Sequence, residues 1–595
     1  MGFRVLAAAL AALSLSLAAR PALADCSIGA MAELPVTMSG LRPLVPAKIN
    51  GAEVMFVADS GAFYSTITPS AADRLNLRLA PAPFNISISG VGGLAKTYVT
   101  TVRTFTLAHQ NIPDVDFFVT ESGGGAAGLI GQNVLGIADV EYDLGNGVIR
   151  LMKPEGCDGH AMLAYWAGGK PLSTIDILPK DEARWHTIGA ITVNGVRLRA
   201  AFDTGAAVSM ITLNAARRAG VTPSDPGVRP GGLNSGIGPH PVRTWIARFA
   251  SVRIGGEEIR NGNLRIADAD LNDFDMLIGA DFFLSHHVYV ANSQRKLYFT
   301  YNGGPVFNLN EQTQVQDAPN AAPKPSADTG DELAEPTDAE GYARRGAAFD
   351  ARHDHDKAIA DFTKAIALAP AEPRYLDQRA QALLAAGKTD AALADLEAAL
   401  KLKPDDVAGR LARAQIRLQR KDEAGAVQDL DAGAAAAAKD SDQRYALAVM
   451  YLGAHRPDAA VAQLDLWIDA HADSGELAEM LNLRCWASAL DGHDLDKALD
   501  DCNRALRLGP KTPGFLDSRG LVRLRRGEYD KAIADYDMAL AARPHEAWSL
   551  YGRGLAELRS NRKVDGQADV AAALALRPRL ADEAKRYGIV GSDGN

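Results

Sequence analysis

Two stretches of the chain, 144 residues apart, share one construction. In Val54-Met-Phe-Val-Ala-Asp-Ser-Gly-Ala-Phe-Tyr-Ser-Thr-Ile67 an apolar strand runs into an acidic turn, Asp59-Ser60-Gly61-Ala62, and a second apolar segment leaves it. Leu198-Arg-Ala-Ala-Phe-Asp-Thr-Gly-Ala-Ala-Val-Ser-Met-Ile211 repeats this, with its turn at Asp203-Thr204-Gly205-Ala206. The surroundings repeat as well. Ile49-Asn50-Gly51 matches Val193-Asn194-Gly195, and Ser70-Ala-Ala-Asp-Arg-Leu75 matches Asn214-Ala-Ala-Arg-Arg-Ala219. Gly90-Val91-Gly92-Gly93 corresponds to Gly236-Ile237-Gly238, and Gly128-Leu-Ile-Gly131 to Met276-Leu-Ile-Gly279, 148 residues on. Offsets drifting only from 144 to 148 mark an internal duplication, so this part of the chain folds as two copies of one small domain.

The tripeptide alone discriminates little. Asp328-Thr329-Gly330 lies in a polar, Pro-rich stretch, and Asp473-Ser474-Gly475 lies between helical segments. Neither follows an apolar strand, so both read as chance loop sequences. The copies are predominantly strands: runs such as Ile86-Ser-Ile-Ser89, Tyr98-Val-Thr-Thr-Val102 and Val115-Asp-Phe-Phe-Val119 alternate with Gly, Pro and Asn turns. The first spans residues 27–153 and the second 170–301, each with one short helix after its acidic turn.

Residues 308–337 are Asn-, Gln-, Pro- and Asp-rich and read as a flexible linker. Helices follow. Ala358, Ala392, Ala426 and Ala460 recur every 34 residues, Ala498 comes after 38 and Ala532 after 34. Pro370 and Pro404, then Pro510, Pro544 and Pro578, keep the same period. A 34-residue helix-turn-helix period is the tetratricopeptide (TPR) signature. Gly346, Ala358, Phe362, Ala365 and Pro370 show it in one repeat, and Gly520, Tyr529, Ala532, Tyr536, Ala539 and Pro544 in another. Small residues let the two helices approach, the aromatic fills between them and proline ends the second. The reading is about seven repeats over 339–580, an all-α solenoid whose concave face suits an unidentified protein partner.

The formal charge of -10 gives no electrostatic case for nucleic acid. Arg4, the apolar run Val5–Ala18 and Pro21-Ala-Leu-Ala24 read as a secretory signal peptide over residues 1–24, implying export, with the periplasm as destination. No later stretch is long and apolar enough to span a membrane. Export lets disulfides persist. Cys26 and Cys157 flank the first copy, and Cys485 and Cys502 lie symmetrically about the turn at Asp491-Gly-His493, which gives two candidate bridges. Neither pair has the close Cys/His spacing of a zinc site, and no metal or cofactor is expected. His286-His287 looks like a ligand pair, but neighbours along a strand point to opposite faces, so a strand end is the better reading. Trp467 and Trp486 read as repeat core.

With these residues assembled, 30–300 resembles the retropepsin/pepsin group of aspartic proteases. Two carboxylates held close cannot both ionise cheaply, so they share one proton and supply both acid and base. The resemblance implies two all-β retropepsin-like lobes with Asp59 and Asp203 as the catalytic pair. Ser60, Gly61, Thr204 and Gly205 would support the turns, their hydroxyls bonding across to the other lobe. The Leu-Ile-Gly strands would pack beside the turns, and Gly90, Val91, Gly92 and Gly93 with Gly236, Ile237 and Gly238 would be flaps over a peptide or unfolded-protein substrate. Phe63-Tyr64 departs from the group's small polar residues, and Gln132-Asn133 stands where the second copy has Ala280-Asp281. The function implied is an exported aspartic endopeptidase with a TPR array. The alternatives are a protease-like scaffold that holds peptides without cutting them, or a TPR adaptor.

Overall fold

The computed structural model describes residues 26–307 and 335–590, apart from 84–85, 87, 121–125, 158, 160, 180–184, 235, 238–241, 272, 473, 475 and 511. The segment 1–24, most of the linker, Asp328-Thr329-Gly330 and Gly238 lie outside the described residues. The chain divides into two compact units, Met1–Asp395 and Leu396–Asn595.

In the first unit the duplicated sequence builds two small β-barrel lobes. Along Arg42–Ile49 the core side, with Val45, Ala47 and Ile49, alternates with outward Pro46 and Lys48, the period of two that buries one face of a strand. Asn50 and Gly51, both at positive φ (52° and 88°), turn this strand back into Ala52–Ala58. Asn194 and Gly195 (47° and 81°) do the same between Ile188–Val193 and Val196–Phe202. Asn-Gly tolerates the two left-handed conformations such a turn demands. The lobe-1 sheet places Ala52–Ala58 beside Gly128–Ile130 and then Thr66–Ile67. The lobe-2 sheet places Val196–Phe202 beside Met276–Ile278 and then Met210–Thr212. In both copies a threonine caps the short helix that follows: Thr68 accepts from the Ala71 amide and Thr212 from the Ala215 amide, each at 3.2 Å.

A six-stranded sheet joins the lobes. Its order is Ser27–Pro35, Val148–Glu155, Asp139–Asp143, His286–Ala291, Lys296–Tyr301, Leu172–Asp176. The central pairing is antiparallel, with Val140 opposite Val290 and Tyr142 opposite Val288. This sheet fixes the spacing of the two acidic turns. Cys26 and Cys157 form a disulfide with Cα atoms 4.4 Å apart, tying the ends of lobe 1.

The first helix pair, Ala339–Ala351 and His355–Leu368, shares the lobes' core. Ala347, Ala348, Ala358 and Phe362 belong to the same buried cluster as Val36, Leu144 and Phe283. Gly147 of lobe 1 lies so close to Arg344 that an added Cβ would come within 2.7 Å of its side chain. On the lobe-2 side Arg352 donates to the Asn302 carbonyl at 3.4 Å.

Among the described residues of the second unit, five helix pairs run from Val407–Gln419 with Glu423–Ala436 to Ala547–Arg559 with Lys563–Leu576, followed by the short helix Leu580–Arg586. Gly520 faces the Tyr536 ring, where an added Cβ would sit 2.9 Å from it, so glycine is what lets this pair close. Cys485 and Cys502 are disulfide-bonded between Leu477–Asp491 and Leu495–Leu508. An arginine on the first helix of a pair grips an aspartate on the second in a two-pronged ion pair: Arg413–Asp429, Arg484–Asp501, Arg519–Asp535 and Arg553–Asp569. The first unit has the same grip at Arg345–Asp361 and Arg379–Asp395. These pairs fix helix register by fork-to-carboxylate geometry.

Candidate active site

Each acidic turn is held by its neighbouring strand. The Asp59 amide donates to the Ile130 carbonyl at 2.9 Å, and the Asp203 amide to Ile278 at 2.8 Å. Within the turn, the Gly61 and Ala62 amides donate to Asp59 Oδ1 at 2.9 and 2.8 Å. Gly205 and Ala206 do the same to Asp203 Oδ1 at 2.9 and 3.3 Å.

The hydroxyls then cross between lobes. The Ser60 amide donates to Thr204 Oγ1 and the Thr204 amide to Ser60 Oγ, both at 3.0 Å. Ser60 Oγ donates to the Phe202 carbonyl at 3.0 Å, and Thr204 Oγ1 to that of Ala58 at 2.7 Å. All four groups are buried, so each bond replaces a desolvation cost of about 1–3 kcal/mol that an unpaired group would carry. An added Cβ on Gly61 would overlap the Asp203 carboxylate, and one on Gly205 the Asp59 carboxylate. Glycine at both turns is what brings the two acids into hydrogen-bonding reach of each other. Burial, then the Asp203 charge and the hydrogen bond to it, push the Asp59 carboxyl well above the usual range; the Ala62 and Gly61 amides oppose this only in part. Such a pair carries one proton between two oxygens, the state general acid–base chemistry requires.

The Gly-rich segments of the two lobes meet, Gly236 and Ile237 being the described residues of the second. In lobe 1, Ile88–Gly90 pairs with Gly93–Ala95, placing Val91 and Gly92 at the tip. The Gly92 amide donates to the Ile237 carbonyl of lobe 2 at 2.9 Å. Gly90 and Gly236 permit this approach: an added Cβ on Gly90 would lie 2.7 Å from Ile237, and one on Gly236 3.3 Å from Val91. Val91 also packs with Ala206, Met210 and Leu277 of lobe 2. Gly238 lies outside the described residues.

A second layer supports the turns, and it gives a bonding role to the Asn133 and Asp281 positions that the sequence only sets side by side. Ser65 donates from its amide and hydroxyl to Asn133 Oδ1 at 2.9 and 2.8 Å, while its Oγ accepts from the Gly131 amide at 3.0 Å. In lobe 2 Ser209 binds Asp281 and accepts from the Gly279 amide in the same way. The amide of lobe 1 thus stands where lobe 2 has a carboxylate, and burial pushes Asp281 up to about 6 against the hydrogen bonds from Ser209. Gln132 donates to the Ser60 carbonyl at 2.7 Å, so this departure from the second copy braces the first turn. Phe63 lies edge-on to Tyr64 and to Trp185, at 4.2 and 5.1 Å, forming an aromatic wall that lobe 2, with Ala207 and Val208, lacks. The duplication pairs these positions in the sequence, Phe63 and Tyr64 with Ala207 and Val208 at an offset of 144 and Gln132 and Asn133 with Ala280 and Asp281 at 148.

His286 and His287 point apart. His286 contacts Glu257 at 3.0 Å and the Phe282 carbonyl at 2.8 Å. His287 contacts Glu141 at 2.7 Å across the lobe boundary, stacked on Trp166. Glu141, Asp143 and His287 have metal-ligand spacing. The Glu141 oxygens, however, also accept from Tyr165 at 2.6 Å and Arg150 at 3.1 Å, an arrangement of a charge-balanced hydrogen-bond network.

Residues 45–134 match the family described as aspartyl protease, and residues 190–285 that described as "gag-polyprotein putative aspartyl protease". Residues 373–416 match the tetratricopeptide repeat. No curated protein matches the chain. Solved structures similar to it include YrrB, titled a TPR protein with an unusual peptide-binding site, at 18% identity over 33% of this chain and 98% of that one, with a TM-score of 0.29. A tetratricopeptide repeat protein from Parabacteroides merdae is similar at 16% identity over 42% of this chain and 98% of that one, with a TM-score of 0.33.

Proposed function

We propose, from the premise that the chain holds two aspartyl protease domains followed by tetratricopeptide repeats, that it is an aspartic endopeptidase completed within one chain. The observation that carries this reading is the Asp59–Asp203 pair, its acids held in contact by Gly61 and Gly205 and its turns locked by reciprocal Ser60 and Thr204 bonds.

An extended peptide under the two flaps presents its scissile carbonyl to the pair. The ionised acid takes a proton from a water, whose oxygen attacks the carbonyl carbon, while the protonated acid hydrogen-bonds the carbonyl oxygen. The protonated acid gives its proton to that oxygen, forming a tetrahedral diol; as the diol collapses one hydroxyl returns a proton to the pair, the amide nitrogen takes a proton from the pair, the C–N bond breaks, and one shared proton remains. Phe63, Tyr64 and Trp185 wall the lobe-1 side, so the substrate class is a peptide or unfolded protein with a large apolar side chain there.

Ala62 and Ala206 follow the glycines, and neither offers a hydroxyl that would favour the charged acid. The bell-shaped profile therefore sits above the pepsin range of roughly 1.5 to 4.7, with activity at mildly acidic pH. Ala62→Ser should move its acid limb downward. Residues 1–24 direct export, and N-terminal sequencing of the secreted protein should begin at Asp25. The repeats bind a protein partner or deliver substrate. The test is cleavage profiling of a peptide library with and without a pepstatin-type inhibitor. Inhibitor-sensitive cuts beside large apolar residues are expected; no cutting at any pH would leave a peptide-holding scaffold.

A further inference from the structure

The two lobes share a fold but not the charge on their outer faces. In lobe 2 Thr192 lies opposite Arg197 on one neighbouring strand and opposite Arg253 on the other. Arg199 follows two residues on from Arg197, and Arg260, opposite Ser251, lies diagonal to Arg253. All four arginines are exposed. Glu258 lies between two of them, paired with Arg253 at 3.3 Å and with Arg260 at 2.9 Å. Asp275 accepts the Arg199 amide at 3.0 Å, but its ion pair is with Arg218. Among the described residues, the Arg197 and Arg199 side chains have no carboxylate partner.

The duplication shows that the fold does not need this charge. Lys48 of lobe 1 lies opposite Glu53 and Thr106 in the same register as Thr192 with its two arginines. The four matching positions are Glu53 and Met55 at an offset of 144, and Thr106 and Pro113 at 147. Glu53 is balanced by Lys48 at 3.1 Å. Like charges set across neighbouring strands repel, so lobe 2 carries its arginines at a cost that lobe 1 avoids.

We propose that this face of lobe 2 is a docking site for an acidic segment of a polypeptide, and that it recruits substrate to the acid pair. Arg197 and Arg199 stand about 6.6 Å apart along their strand, the spacing of alternate side chains in an extended peptide. Each guanidinium fork matches a carboxylate. Among the described residues, the strands that carry the face have no exposed large apolar side chain to enter a lipid surface. The strand Val196–Phe202 runs directly into Asp203, which puts Arg199 about 13 Å along the chain from the acidic turn. An acidic run about four extended residues from the scissile bond spans that distance.

Recruitment rests on the proposed peptidase reading, whereas docking does not, and the full chain tests the two apart. A quenched fluorescent peptide that the wild type cuts is extended with a run of about six glutamates, long enough to cross the face, or with as many glutamines. The glutamate tail should lower KM about fivefold at low salt with kcat within about twofold, and the gain should vanish at about 1 M salt. Arg197→Gln/Arg199→Gln should abolish the difference between the tails. Equal KM for the two tails in the wild type, or a preference that survives in the variant, overturns the proposal. A wild type that cuts neither peptide overturns the peptidase reading, and fluorescence anisotropy of a labelled hexaglutamate then decides the docking site. Binding at least about fivefold weaker in the variant sustains it; equal binding overturns it. Binding of phosphatidylglycerol vesicles without binding of the labelled peptide would assign the face to a lipid surface instead.

Discussion

At the scale of single residues the site is governed by what is missing. Gly61 has no side chain because the Asp203 carboxylate occupies that space. Gly61→Ala leaves both acids in the sequence but forces the lobes apart. A displacement near 1 Å at a reacting centre costs about a hundredfold in rate, so peptidase activity should fall at least that far while circular dichroism stays near wild type. An active Gly61→Ala variant would show that the two turns do not meet. Asp281 gives a pH-dependent counterpart. Its folded pKa, about 6, lies above the ordinary 3.8, so between these values the folded chain holds a proton the unfolded chain has lost. Its contribution to stability is full below about pH 4 and is lost as pH rises through about 6. Asp281→Asn copies lobe 1, where Asn133 accepts the same serine bonds. The melting temperature of wild type relative to this variant should rise as pH falls from about 7 to about 4; a constant difference would mean that Asp281 does not titrate there.

At the scale of elements, the turns and apolar-apolar-Gly strands were legible because their chemistry is local and occurs twice. Asp59 and Asp203 stand out only through the matched strands around them. The sheet that joins the lobes was not legible: Val140 and Val290 meet across 150 residues with nothing in either strand to name its partner. The Arg–Asp grips have a signal that could have been found, a 16-residue spacing in Arg345–Asp361, Arg379–Asp395, Arg413–Asp429, Arg519–Asp535 and Arg553–Asp569. The first helix pair reads as one more repeat, since Ala347 and Ala348 are the small residues any repeat has. In the structure they cover Val36 and Leu144 of lobe 1. A chain ended after Phe307 should therefore melt lower and aggregate more readily than one ended after Leu402. Phe362→Ala, at about 3–5 kcal/mol for a buried aromatic, should lower the lobes' melting transition. Equal melting of the two truncated chains would separate this helix pair from the lobes.

At the scale of the whole molecule, duplication within one chain frees each copy to diverge. Lobe 1 gains Phe63, Tyr64 and Gln132 where lobe 2 has Ala207, Val208 and Ala280, so the two acids share a cradle without sharing an environment. On the proposed reading, a dyad built this way needs no second subunit, and each acid would be indispensable because one proton serves both. The direct measurement is turnover of a library-selected peptide by wild type, Asp59→Asn and Asp203→Asn, each held at concentrations spanning about a hundredfold. Wild-type turnover per chain should be independent of protein concentration. Both variants should fold as wild type does and lose at least about a thousandfold in kcat. Near-normal turnover in either variant, or wild-type activity that rises with the square of concentration, would contradict an acid pair completed within one chain.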